Sequence, residues 1–535
     1  MSERHQDVLI IGAGVGGSVC AKHLAEAGFS VVCLEQGDWV NASDYPGAKA
    51  EFELLAQRRW NPNPNIRSLP QDYPVEDSQS DLDPRMFNAV GGSSILYSAH
   101  WVRQLPSDFR ARSLDGVADD WPLSYQELAP YYEQVERDVG VAGLGGDPAY
   151  PPGAAPPLPA HAIGKIGRKA AEGLNTLGWH WWPAWNAIAS APYGHLAQCE
   201  RYGTCMAGCP AGAKGSFDLT HWPSALEHGA RLVTGARVRR IETNDRGLAT
   251  GATFIHRGGG DRFQPADVVI LAANGIGTPR LLLLSASPQH PAGLANSSGL
   301  VGKRLMLHPY ASVVGVYDDD LESWLGPAGH FIQSLQFYES DETRGFLRGA
   351  KWSARPTGGP LNVLLDYGVE DAVGSEIHRL IRERLGHCFE WGVIAEDLPD
   401  EDNRVVLDDR LKDSDGVPAP RLIYRVSEDA CAMLDWHLAR VTEAHQASGA
   451  TETITVPLMR YRGGHLLGTA RMGSDPARSV VNPFGRAHDC PNLFVSDGSV
   501  FPTSSGVNPT ATIAALALRC AEHVVTTARL QAVPA

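Results

Sequence analysis

Apolar residues recur with different rhythms along this chain, and each rhythm predicts a different element. Residues 7–11, DVLII, form a short run rich in β-branched side chains. A glycine cluster follows, and then SVCAKHLAEAGF, in which Val19, His23 and Leu24 recur at helical spacing. Gly28 closes that helix and SVVCLE reads as a second strand, so the N-terminus predicts a strand–helix–strand unit. The stretch 231–284 alternates short strands with loops. Residues 311–455 carry alternating strand patterns such as RLIYRV, together with the amphipathic helix DACAMLDWHLARVTEAHQAS. A strongly apolar helix begins near NPTATIAALALRCAEHVV. Residues 151–160, PPGAAPPLPA, predict a surface connector that belongs to no sheet.

At 535 residues the chain is long enough for two large domains. Its 46 Lys+Arg stand against 61 Asp+Glu, a net charge of −15, which argues against nucleic acid and anionic lipid as partners. No apolar run reaches the roughly 18 residues of a membrane span. The N-terminal apolar stretch runs straight into glycines, without the layout of a signal peptide, and a cytoplasmic location is the expectation.

Gly12-Ala13-Gly14-Val15-Gly16-Gly17 has the form G-x-G-x-x-G between strand and helix. Gly12 permits the tight turn, Gly14 lets a pyrophosphate approach the backbone, and Gly17 lets helix pack on strand. Glu35 ends the second strand, where a carboxylate accepts from a ribose hydroxyl and repels a 2′-phosphate. These features predict a dinucleotide site and leave FAD and NAD unresolved. Near the other terminus stand GGHLLGTARMG, with His465, and PNLFVSDGSVFPTSSGVNPTAT, with Asp497, Gly498, Asn508, Pro509 and Thr510. Pro509 after Asn508 predicts an Asn cap on the last helix, whose positive end favours charge developing on a flavin.

Together these segments resemble the glucose–methanol–choline (GMC) oxidoreductases, and the likeness runs essentially end to end. Gly12–Gly17 with Glu35 is similar to that family's FAD-binding start. Asn88-Ala89-Val90-Gly91-Gly92-Ser93-Ser94 resembles its second glycine element, and Ala273–Arg280 its second signature. HLLGTARMG and SGVNPT resemble its catalytic end, in a form like pyranose oxidase and related bacterial sugar and glycoside oxidoreductases. The resemblance implies an α/β fold: a Rossmann-like FAD domain, and a substrate domain built on an antiparallel sheet. The division expected is 1–110, 215–310 and 456–535 for FAD, and 111–214 and 311–455 for substrate. It also implies His465 and Asn508 as the catalytic pair, and Val238 beside the adenine. FAD is expected to be non-covalent, because His100 lies further along than the family's attachment positions.

The implied reaction is oxidation of a CH–OH group. His465 takes the hydroxyl proton, hydride passes to flavin N5, and O2 or another acceptor reoxidises the flavin. A sugar or glycoside secondary hydroxyl is the expected substrate. Sterols, aminoglycosides, aryl alcohols and a non-redox lyase on the same scaffold are the alternatives. His308, in LMLHPY, is read as structural or supporting. Cys199, Cys205 and Cys209 are spaced like iron–sulfur ligands in some relatives, but are read as a structural loop without metal. The crowded Trp179, Trp181, Trp182 and Trp185 are read as a core strand in preference to a sugar platform.

Overall fold

The computed structural model describes residues 3–366 and 372–532. The predicted N-terminal unit is present as β1 (Gln6–Ile11), α1 (Val15–Glu26) and β2 (Val31–Leu34). Gly28 follows the helix with φ +93°, a left-handed value that glycine adopts without strain. β1 and β2 pair in parallel, Ile10 opposite Cys33, and both are buried throughout their middle. Such two-sided burial is why these strands read as continuous apolar runs.

Seven strands make the first sheet, which continues through Asp261–Leu271. The end of that long strand pairs in parallel with β1 and with Leu493–Val495, while its start turns antiparallel against Ala249–His256. The C-terminal helix Thr510–Ala532 lies against α1, so both ends of the chain close one layer. Its apolar face, including Ala514, Ala517 and Ala521, is fully buried.

A second sheet of six strands is antiparallel and runs from Glu452–Val456 through Tyr310–Val316, Cys388–Ala395 and Ala350–Arg355 to Ile332–Ser334 and Trp182–Pro183. Helix Glu428–Ala447, one residue from its predicted start, covers this sheet with helix Gly164–Leu177. A third, three-stranded sheet joins Arg404–Lys412 and Pro418–Tyr424 to Glu76–Ser80. The mixed α/β fold expected from the sequence is therefore the one observed.

One expectation needs correction. Leu158–Pro159 in the supposed connector pairs in parallel with Ala142–Gly143, Leu158 donating its N–H to the Val141 carbonyl at 3.1 Å. Proline sits at the edge of this two-residue ladder, where a missing N–H costs nothing.

Candidate active site

A cavity of about 330 Å³ is walled by both large sheets. From the first sheet and its loops come Gly12, Gly14, Glu35, Val238 and Ala273; from the second come Tyr310, Arg355 and Ile394. Asn88, Gly92, Ser93 and Ser94 line it, as do His465, Asp497, Gly498, Asn508, Pro509 and Thr510. Gly17 and Gly91 act from outside the lining. A Cβ at Gly17 would meet the Gly12 carbonyl at 1.9 Å, so that glycine exists for helix–strand contact. Gly91 takes φ +91° against Asp218.

Gly14 is different. A Cβ there would meet only the Gly92 backbone, at 3.8 Å, and would otherwise fill the cavity. The first turn of α1 carries neither an acidic side chain nor a capping hydrogen bond at Gly14, so its leading N–H groups remain available. This open, uncapped helix start beside a second glycine segment fits a pyrophosphate. Glu35 fits the adjoining ribose. Its oxygens accept from the Ala13 and Gly37 N–H groups at 2.8 Å each, which orients the carboxylate and leaves lone pairs toward the cavity. Burial nonetheless pushes its pKa up.

The Asp497 carboxylate is held by four hydrogen bonds from the protein. All its capacity is directed inward, to Asn274 N–H (2.9 Å), Thr278 Oγ1 (2.5 Å) and Ser499 N–H (2.8 Å) and Oγ (2.5 Å). It ties the Ala273–Arg280 segment to the chain after Leu493–Val495. The Asn cap also needs correction. The last helix starts at Thr510, with Ile513 N–H bonding the Pro509 carbonyl, so Asn508 precedes the cap and its side chain is free for other work.

That work is at the reacting side of the cavity. His308 and His465 meet through their Nδ1 atoms at 2.7 Å, and His308 Nε2 lies 2.5 Å from the Ser505 carbonyl. A carbonyl only accepts, so His308 carries its proton on Nε2 and its Nδ1 is a lone pair. His465 must then donate from Nδ1, which leaves its Nε2 as a base. Nε2 stands 3.5 Å from Asn508 Nδ2. Burial pushes His308 down to about 4, and burial followed by the His308, Lys351 and Arg85 neighbours holds His465 well below the usual imidazole range. Both rings are neutral at pH 7. His308 adopts φ +49°, an uncommon value for a residue with a side chain, which this hydrogen-bonded setting over-determines.

A second relay holds Asn508. The buried Lys351 Nζ donates to Asn508 Oδ1 and to His100 Nδ1, both at 2.7 Å, and His100 Nε2–H reaches Gln333 Oε1 at 3.0 Å. The lysine fixes the carboxamide orientation, with Nδ2 toward His465. Both nitrogens of His100 are occupied by these two hydrogen bonds. Sequence reasoning missed Lys351 and Arg355; their shared signal was a pair of cations in the strand AKWSAR, which is buried at every position. Arg85 and Arg462, which line the cavity with Arg355, gave no such signal.

The cysteines and tryptophans stand apart. Among the described residues no group of three or more His, Cys, Asp or Glu is gathered to hold a metal, and Cys199, Cys205 and Cys209 are free thiols. Lys214 pins their loop by donating to the Ile95 and Cys205 carbonyls at 2.6 Å each. None of the four tryptophans lines the cavity. Trp182 and Trp185 both donate to the Leu144 carbonyl at 2.8 Å, and Trp179 packs edge-on to Phe337 and Trp352.

A Rossmann-type dinucleotide layer that faces an antiparallel sheet across a shared cavity is the architecture of a flavoprotein oxidoreductase. Family models agree: GMC oxidoreductase models match residues 160–310 and 399–517, and a model of NAD(P)-binding Rossmann-like domains matches 10–72. The chain is 42% identical to 2-methyl-1,2-propanediol dehydrogenase of Mycolicibacterium austroafricanum, over 97% of this chain and 95% of that protein. It is 31% identical to the fructose dehydrogenase large subunit of Gluconobacter japonicus, covering 97% of each, and 32% identical to paromamine 6'-oxidase of Streptomyces fradiae, covering 98% and 92%. The fold matches the crystal structure of pyridoxine 4-oxidase from Mesorbium loti with a TM-score of 0.67 at 17% identity, covering 97% and 98%. The chain belongs to the GMC oxidoreductase family. It is an FAD-dependent oxidoreductase acting on CH–OH donors.

Proposed function

We propose that this enzyme oxidises a secondary hydroxyl of a sugar or glycoside to the ketone, with His465 as the base and Asn508 as its partner. The observation that carries the reading is the directed chain from the Ser505 carbonyl through His308 to His465, which leaves a neutral Nε2 on the cavity. An alcohol is a poor hydride donor until its O–H proton leaves. His465 Nε2 takes that proton, and the Asn508 Nδ2–H group stabilises the alkoxide oxygen. FAD, when bound, supplies the acceptor for the two electrons and proton that leave the carbinol carbon as hydride.

The imidazolium formed on His465 still donates from Nδ1 to His308, a bond that strengthens with the charge. Lys351 keeps the Asn508 carbonyl oxygen turned away, so that the alkoxide meets a donor and not another acceptor. FAD is held without a covalent bond, with Gly14 and Gly92 at the phosphates, Glu35 at the ribose and Val238 by the adenine. We assign the segments 1–110, 215–310 and 456–535 to FAD, and 111–214 and 311–455 to substrate. The sugar reading draws on relatives named for fructose and for an aminoglycoside. O2 or another acceptor returns the electrons. Among the described residues no helix is long and apolar enough to cross a membrane.

His465→Ala should slow anaerobic flavin reduction by a sugar about 10²-fold or more, with flavin content unchanged. Unchanged reduction removes His465 from the role. Flavin released intact on denaturation is the expected sign of non-covalent binding.

A further inference from the structure

Three guanidinium groups, those of Arg85, Arg355 and Arg462, gather on the substrate side of the cavity. Arg355 and Arg462 both lie over the ring of Tyr310, at 5.0 and 5.5 Å from its centroid. Arg85 packs its side chain against Gly464, next to His465. All three line the cavity. Arg355 is paired with Glu390. Among the described residues, Arg85 and Arg462 form no ion pair with an acidic side chain, and Arg462 Nε is buried without a hydrogen-bond partner. Asp83, close to Arg85 in the chain, is paired with Arg460 at 2.8 Å.

The other titratable groups do not redress the balance. Lys351, His100, His330, His308 and His465 are each neutral or cationic. Arg85 is lowered to about 10 by burial and by the two neighbouring arginines, so it remains charged at pH 7. Glu390 is held below its usual range because burial is outweighed by Arg355 and Arg462, and its single negative charge is already counted. Arg85 and Arg462 thus remain without an acidic partner among the described residues, inside a chain whose net charge is −15. Desolvated, unpaired guanidinium groups are costly unless an anion completes them. The phosphates of the dinucleotide belong with Gly14 and Gly92, a different part of the lining.

We propose that the alcohol substrate of this enzyme carries an anionic group, a carboxylate or a phosphate ester, which Arg85 and Arg462 bind while the hydroxyl is presented to His465. This deepens the alcohol-oxidation reading above and rests on it. Planar guanidinium forks suit either anion, and their placement beside the base fixes which hydroxyl is offered.

Glucose, glucuronate and glucose 6-phosphate form a matched set for the holoenzyme, scored by the rate of anaerobic flavin bleaching. A preference of about tenfold or more in kcat/KM for one of the two anions over glucose is expected, as one charge-assisted contact provides. Which anion wins separates carboxylate from phosphate. Arg462→Gln and Arg85→Gln should bring that ratio toward one, with bound flavin and melting temperature as the check on folding. Arg462→Lys should restore part of it. Equal use of all three sugars, or a preference for glucose, overturns the proposal. If no sugar bleaches the flavin, the sugar reading fails, and charge selection is judged without turnover from the perturbation of flavin absorbance. Benzoate must then bind at least about tenfold more tightly than benzamide, and lose that advantage in Arg462→Gln. Equal binding of the two overturns it.

Discussion

The two sides of the cavity are built by opposite means. On the nucleotide side, backbone does the work. Gly12, Gly14, Gly17 and Gly92 act by lacking a side chain, and a helix start offers its N–H groups. On the reacting side, side chains from five separate segments position one another: His100, His308, Lys351, His465 and Asn508. A backbone site is set by local sequence and tolerates no added atoms. A side-chain site is set by the tertiary fold, and each member can be removed with graded loss.

Substitutions can break or sharpen that contrast. The largest effect is expected at Gly17→Val, whose branched side chain collides with the Gly12 carbonyl and cannot move aside. It should cost about 3 kcal/mol or more and abolish flavin binding, read by urea unfolding and absorbance. Gly14→Val, three residues earlier in the same motif, should fold with an unchanged melting temperature for the flavin-free protein, yet retain little flavin. If both variants behave alike, the distinction between packing glycine and cradle glycine is wrong.

Next comes His308→Leu, which removes the acceptor that fixes the His465 tautomer. A loss of about 10- to 100-fold in flavin reduction is expected, with flavin content intact. His308→Gln, which offers both an acceptor and a donor, should lose less; equal losses would point to packing alone. Lys351→Met frees the Asn508 carboxamide to rotate and should cost about tenfold in kcat, with a smaller change in KM.

The smallest effect is on pH dependence. His465 must be neutral to act, and its folded pKa lies well below 6.5. The reduction rate should therefore stay level as pH falls through 6.5 and decline only at lower values. Stability follows the same sign. His308 takes up protons in the unfolded chain near 6.5 but in the folded one only at about 4, so stability present above pH 6.5 is lost as pH falls between those values. Chemical unfolding at pH 7 and pH 5 measures it. A rate that halves near pH 6.5 would show an ordinary, solvated imidazole.

The same contrast explains what could be read beforehand. β1, α1 and β2 were legible because strand periodicity, a glycine motif and a closing Gly28 are all local. The motif suggested the pairing of His465 with Asn508 proposed above, but not what orients Asn508: beside a helix cap, a lysine 157 residues away claims its oxygen. His308 was readable only as structural or supporting, because the direction of its hydrogen bonds depends on the Ser505 carbonyl, which no side-chain pattern records. The arginines were invisible for the same reason: Arg85 and Arg462 sit in polar stretches, Arg355 ends the buried strand of Lys351, and only the fold brings them to one cavity.

The order of strands in the first sheet has a consequence for how this protein is made. β1 and β2 emerge first from the ribosome, yet their layer is completed by Leu493–Val495 and by the helix that lies across α1. At about 5–20 residues per second, roughly half a minute to a minute and a half of synthesis separates those parts. Throughout that interval α1 waits without the helix that covers it and the strand Asp261–Leu271 without its last neighbour, and loading of FAD becomes one of the last events in the life of the new chain.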